Sequence, residues 1–114
     1  MKIGIVNETT EGERRVALIP DSVKRLKKNH EVILEPGAGD SAAFADEEFT
    51  AVGATVDSSA WQADVVLKIQ KPTLEEIGKL REGSIFVSLL WPLQNPDLAK
   101  ALAEKKVTAI GLES

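Results

Sequence analysis

The chain has 114 residues, 43% of them hydrophobic and 28% charged, with a net charge of -4. That length fits a single domain with its own core, and the acidic balance argues against nucleic acid as a partner. With no cysteine and one histidine, disulfides, cysteine nucleophiles and thiolate- or histidine-based metal sites are excluded.

The chain opens on Met1-Lys2-Ile3-Gly4-Ile5. This leads straight into a strand-like run with no charged-then-apolar leader. No apolar run approaches the roughly 20 residues that span a bilayer. The cytoplasm is therefore the expected compartment. Ile3–Val6 reads as a first buried strand and Val32–Leu34 as a second, with Thr55-Val56 a weak third. Val65–Ile69 and Ile85–Leu90 are strong, largely β-branched runs, and Val107–Leu112 is the last. Near-continuous apolar strands of this kind predict a parallel sheet covered on both faces.

Amphipathic segments fit between the strands. Pro20 to Asn29 carries Val23 and Leu26 on one face, with Asn29 suited to a left-handed helix end. Its run Lys24-Arg25-Leu26-Lys27-Lys28 reads as a solvated face. Asp46 is placed to cap a short helix through Phe49 and Val52, ended by Gly53. Thr73-Leu74-Glu75-Glu76 has capping-box spacing, with Leu74, Ile77 and Leu80 as the buried positions. Asn95-Pro96-Asp97 is a strong helix start, and Leu98, Ala101, Leu102 and the stem of Lys105 form its apolar stripe. This alternation predicts an α/β domain over residues 1–114: a doubly wound, mainly parallel sheet with helices on both faces, flavodoxin-like or Rossmann-like. The last strand runs out near Ser114 without a covering helix, which points to a domain cut short, or else to a terminus at an edge strand.

In open parallel sheets ligands bind beyond the carboxyl ends of the strands. That places Glu8 to Ala17, Glu35 to Asp40, the stretch from Lys68 and the stretch from Trp91 at one edge. Arg15 and Lys68 converging there would suit a small carboxylate. The alternative is that Arg15 pairs with Glu8 or Glu13 to brace its loop. A lysine inside an apolar strand is costly to bury unless something pairs with it, which singles out Lys68. Gly37-Ala38-Gly39 lacks the third glycine of a dinucleotide fingerprint and reads as a tight turn after a strand. His30, beside Glu31, is expected to face solvent, and Trp61 and Trp91 to be packing residues.

Together and in register, Glu13-Arg14-Arg15-Val16-Ala17-Leu18-Ile19-Pro20, Glu35-Pro36-Gly37-Ala38-Gly39, Gly53-Ala54 and Asp64-Val65-Val66-Leu67-Lys68-Ile69 resemble the amino-terminal domain shared by alanine dehydrogenases and proton-translocating nicotinamide nucleotide transhydrogenases. The resemblance runs the length of the chain. Alanine dehydrogenases carry a catalytic histidine after the fifth strand; this chain has Trp91-Pro92-Leu93-Gln94-Asn95-Pro96 there, similar to the transhydrogenase alpha subunit. The resemblance thus implies hydride transfer from NADH to NADP coupled to proton movement, with the rest of the alpha subunit and a beta subunit as partners. It also implies a following NAD-binding domain absent from residues 1–114, so NAD is not expected to bind tightly here. In the dehydrogenase branch, residues matching Arg15 and Lys68 hold a substrate carboxylate. For this chain Arg15, Lys68, Glu8 and Gln94 are the candidates for the nicotinamide-side cleft, with no catalytic, cofactor-binding or metal-ligating residue assigned. A homodimer is expected through the uncovered surface or the edge of the last strand. An alanine-dehydrogenase-like domain and a stand-alone interaction module are the alternatives.

Overall fold

The computed structural model describes residues 1–89 and 95–112. Six strands form one sheet: β1 (Lys2–Ile5), β2 (Glu31–Leu34), β3 (Thr55–Val56), β4 (Val65–Lys68), β5 (Ile85–Ser88) and β6 (Thr108–Gly111). Every pairing is parallel and the order is β3-β2-β1-β4-β5-β6. Helices α1 (Pro20–Leu26), α2 (Asp46–Thr50), α3 (Leu74–Lys79) and α4 (Pro96–Glu104) alternate with them, and Ser58–Gln62 forms a 3-10 helix between β3 and β4. The strand order reverses between β1 and β4. That reversal is the switch point at which doubly wound sheets open a crevice.

Register decides which face each side chain serves. Ile3 and Ile5 lie level with Val32 and Leu34 on one side and with Val65 and Leu67 on the other. On this face α1 and α2 bury Ile5, Val23, Val32, Leu34 and Phe49. The opposite face packs Val6, Ile33, Val66 and Phe86 against Trp61, Ile77, Leu80, Leu98 and Leu102 from the 3-10 helix, α3 and α4. The two helical layers therefore overlap on β1 and β2 and diverge beyond them. On the first face, among the described residues, β4 to β6 carry no helix. Val65, Leu67, Ile85 and Val87 are half-buried there, and Ile110 and Leu112 are exposed. The expectation of full cover on both faces holds for β1 and β2 only.

Local signals account for most helix ends. Thr73 Oγ1 accepts from Glu76 N (3.1 Å) while Glu76 Oε1 accepts from Thr73 N (2.9 Å), closing the capping box. Thr73→Ala is expected to cost about 1 kcal/mol in a denaturation experiment. Asn95 Oδ1 accepts from Asp97 N and Leu98 N at the start of α4. The Lys105 ammonium donates to the carbonyls of Gly78 and Leu80, tying the end of α3 to α4.

Four local expectations are corrected. Leu74 is 61% exposed, because the first turn of α3 points it away from the layer that buries Ile77 and Leu80. Asp46 does not cap α2: it is the first helical residue, its carboxylate accepts from Gly37 N, and Glu48 instead reaches back to Ala45 N. α1 stops at Leu26, and Asn29 is not among the residues with positive φ. His30 is half-buried rather than solvent-facing, and its Nδ1 finds no partner among the described residues.

Candidate functional site

The carboxyl ends of β1 and β4 are joined by charge. Lys68, the last residue of β4, is fully buried, and its Nζ lies 3.1 Å from Oε1 of Glu8, whose side chain is 3% exposed. The Glu8 carboxylate also accepts from Ile69 N (2.7 Å) and Gln70 N (3.1 Å), while Lys68 Nζ donates to Lys71 O at 3.4 Å. A carboxylate with one ammonium and two backbone donors is the kind of buried ion whose desolvation is repaid by hydrogen bonds. The costly lysine of the sequence thus has its partner, and both charges are consumed internally.

The neighbouring group is open to solvent. Residues 10–15 and Gln70 line a cleft of about 400 Å³. Arg15 grips Glu13 with Nε and Nη2 at 2.9 and 2.8 Å, and Gln70 Nε2 donates to the same carboxylate at 2.7 Å. These bonds, led by that from Arg15, lower the Glu13 pKa from 4.5 to about 2 despite the opposing effect of burial. Glu13 in turn raises the Arg15 guanidinium above its ordinary value. Arg15 is 60% exposed at its side chain. A depressed carboxylate stabilises the fold above its unfolded pKa and loses that contribution as pH falls through the folded one. The chemical shifts of the Gln70 side-chain amide, which report Glu13 in the folded chain, are accordingly expected to hold steady from neutral pH to about 3 and to move through a midpoint of about 2.

The candidates therefore separate. Arg15 lines the cleft. Glu8 and Lys68 lie beneath it, locked together, and Gln94 lies outside the described residues. The loop-bracing alternative describes Arg15 in this structure, with Glu13 as the brace. Gln70 was not singled out from sequence; the available signal was a polar side chain immediately after an apolar strand. A second network supports β1 from below: Glu35, just after β2, accepts from Asn7 N (2.7 Å) and from Trp61 Nε1 (3.0 Å). Trp61 is a packing residue, 2% exposed.

A dinucleotide's phosphates would need glycines that let backbone approach them. The two glycines just after β2 are committed to turn and packing. Gly37 takes φ +79° in the turn after β2, and a Cβ on Gly39 would stand 2.6 Å from both Phe44 O and Phe49 Cε2. Among the described residues no three metal-ligating side chains cluster, and no helix is long and apolar enough to cross a membrane.

An all-parallel sheet in this order, with its polar cleft at the β1/β4 switch point, defines a Rossmann-like doubly wound domain. Residues 4–114 match the family described as alanine dehydrogenase/PNT, N-terminal domain, and the chain belongs to that family. It is 41% identical to the NAD(P) transhydrogenase subunit alpha of Haemophilus influenzae, over 100% of this chain and 23% of that protein. It is 37% identical to the alanine dehydrogenase of Bacillus subtilis, over 100% of this chain and 31% of that protein. The crystal structure of transhydrogenase from Sinorhizobium meliloti superposes with a TM-score of 0.89 at 33% identity, covering 96% of this chain and 34% of that one. The chain thus spans about a quarter to a third of the length of these relatives.

Proposed function

We infer that this domain supplies one wall of the nicotinamide-side cleft of a proton-translocating NAD(P) transhydrogenase alpha subunit. In that assembly hydride passes from NADH to NADP, and other domains couple the transfer to proton movement. One observation favours this over alanine oxidation. The chain's one histidine, His30, directly precedes β2 at the amino ends of the strands, while the cleft opens at their carboxyl ends. Amino-acid oxidation needs a proton acceptor within hydrogen-bond reach of the substrate, and no imidazole of this chain is on that side.

In this reading NAD is held by a domain outside residues 1–114 and supplies the hydride. The chain's own side chains shape the wall: Arg15 and Gln70 face the cleft, and Glu13 fixes both in place. Partners are then the rest of the alpha subunit and the beta subunit, at the cytoplasmic face of a membrane. The half-bare face of β4 to β6 and the edge of β6 supply the surface for the second domain or for a homodimer.

Exchanging the matching segments tests the choice of branch. Placed in the H. influenzae alpha subunit, this chain should sustain NADH-to-NADP hydride transfer. Placed in the B. subtilis dehydrogenase, it should lower alanine oxidation by about 10²-fold or more. A dehydrogenase chimera that keeps its activity overturns the reading. The 114-residue chain alone should take up NADH weakly or not at all in a calorimetric titration, and micromolar affinity would refute that part.

A further inference from the structure

The walls of the cleft are carried by a segment that its own backbone barely holds. Within residues 8–18 a single backbone–backbone hydrogen bond is made, from Glu13 N to Thr10 O at 3.0 Å. At the tip Gly12 takes φ +85°, and a Cβ there would meet nothing within 4 Å, so the tip is not packed on the body. Side chains do the holding. Glu8 enters the end of β4 and takes Lys68 Nζ, Ile69 N and Gln70 N; five residues on, Glu13 takes Gln70 Nε2. Glu8 also follows Asn7, whose backbone N–H is pinned to Glu35, so its entry point is fixed, and the far end of the loop is anchored where Val16 enters the core.

We propose that Glu8 is the latch of this cleft: a positioning residue whose carboxylate docks the β1–α1 loop onto β4, with Lys68 as the keeper of the latch rather than a cation offered to a ligand. Burial supports this division, since Lys68 is 0% exposed while Arg15 is 60% exposed on the cleft wall. The same carboxylate sets Gln70 from its backbone side, so one residue places both the loop and the polar group opposite it. The latch is a property of the loop and holds whatever the cleft binds; only its consequence for ligands rests on the reading above.

Amide hydrogen exchange on the 114-residue chain tests it without any ligand. In Glu8→Ala, the amides of Ile69 and Gln70, and the bonded loop amides of Glu13 and Arg15, should exchange roughly tenfold faster or more, while those of Val32, Val66 and Phe86 stay the slowest. Acetate, and not chloride at equal ionic strength, should restore protection at Ile69 and Gln70 by taking the place of the lost carboxylate. Wild-type protein should not respond to acetate. An unchanged loop, or equal rescue by chloride, would overturn the proposal. Should Glu8→Ala fail to fold, the pair Glu8→Leu with Lys68→Met, which removes both charges and the acceptor, must show the same loosening at Ile69 and Gln70, and an unaltered loop there counts against the latch. None of these outcomes depends on the chimera assays, so the two ideas fail separately.

Discussion

Lys68→Met is expected to destabilise the chain by about 3 kcal/mol and Glu8→Ala by more, about 4–5 kcal/mol, the range in which a buried pair loses one partner. The order follows from what each change leaves behind. Without Lys68, the Glu8 carboxylate keeps two backbone donors, Ile69 N and Gln70 N. Without Glu8, a fully buried ammonium keeps, among the described residues, only the long contact of 3.4 Å to Lys71 O. The double change Glu8→Gln with Lys68→Met removes both charges at nearly constant volume and should recover most of the loss. Urea midpoints at unchanged slope measure all three. The comparison within the same molecule is Arg81 and Asp64, a 2.6 Å pair with side chains 48% and 41% exposed. Arg81→Ala should cost under about 1 kcal/mol, because water and salt screen that pair already. Equal losses at the two sites would mean that burial does not govern the Lys68 pair.

Lys68 also shows where sequence reasoning reaches its limit. A lysine inside Val65-Val66-Leu67-Lys68-Ile69 announces a buried charge, and the need for a partner follows from desolvation alone. Which carboxylate answers is invisible, because Glu8 lies 60 residues away and is brought near only by the pairing of β1 with β4. Features that close within one turn of chain were legible: the Thr73 and Glu76 box, the Asn95 cap, the β-branched strands and hence the doubly wound class. Features set by tertiary contact were not. Asp46 looks like a cap by position, but Gly37 across the β2 loop claims its carboxylate. Leu74 fits the apolar period of α3, yet a six-residue helix buries only one side, and the side is chosen by α4. The uncovered half-face of β4 to β6 was hidden for a related reason: apolar strands look alike whether or not a helix lies on them.

Gly4→Ala is the other change expected to be severe, at about 3 kcal/mol or more, the upper end of what overpacking costs. Gly4 is the middle of β1 and reads from sequence as an ordinary strand residue. In the fold its missing side chain is the space occupied by the 3-10 helix. A Cβ would stand 2.0 Å from Ala60 O, 2.9 Å from Ala60 C and 3.1 Å from Ala63 Cβ. The carbonyl cannot simply turn aside, because Ala60 O accepts from Ala63 N at 3.3 Å and both residues are buried. The strand and the 3-10 helix must therefore part. That displaces Trp61, which bonds Glu35, which in turn pins Asn7 at the root of the loop carrying Glu8. Loss of stability and loosening of the cleft loop should appear together, the second read as faster exchange of Glu13, Arg15, Ile69 and Gln70. Gly78→Ala is the control: its Cβ would meet nothing within 4 Å on exposed α3. There the better helix former should raise stability, by up to about 1 kcal/mol. If both alanines behave alike, the close approach of β1 to the 3-10 helix is not what fixes the root of the loop.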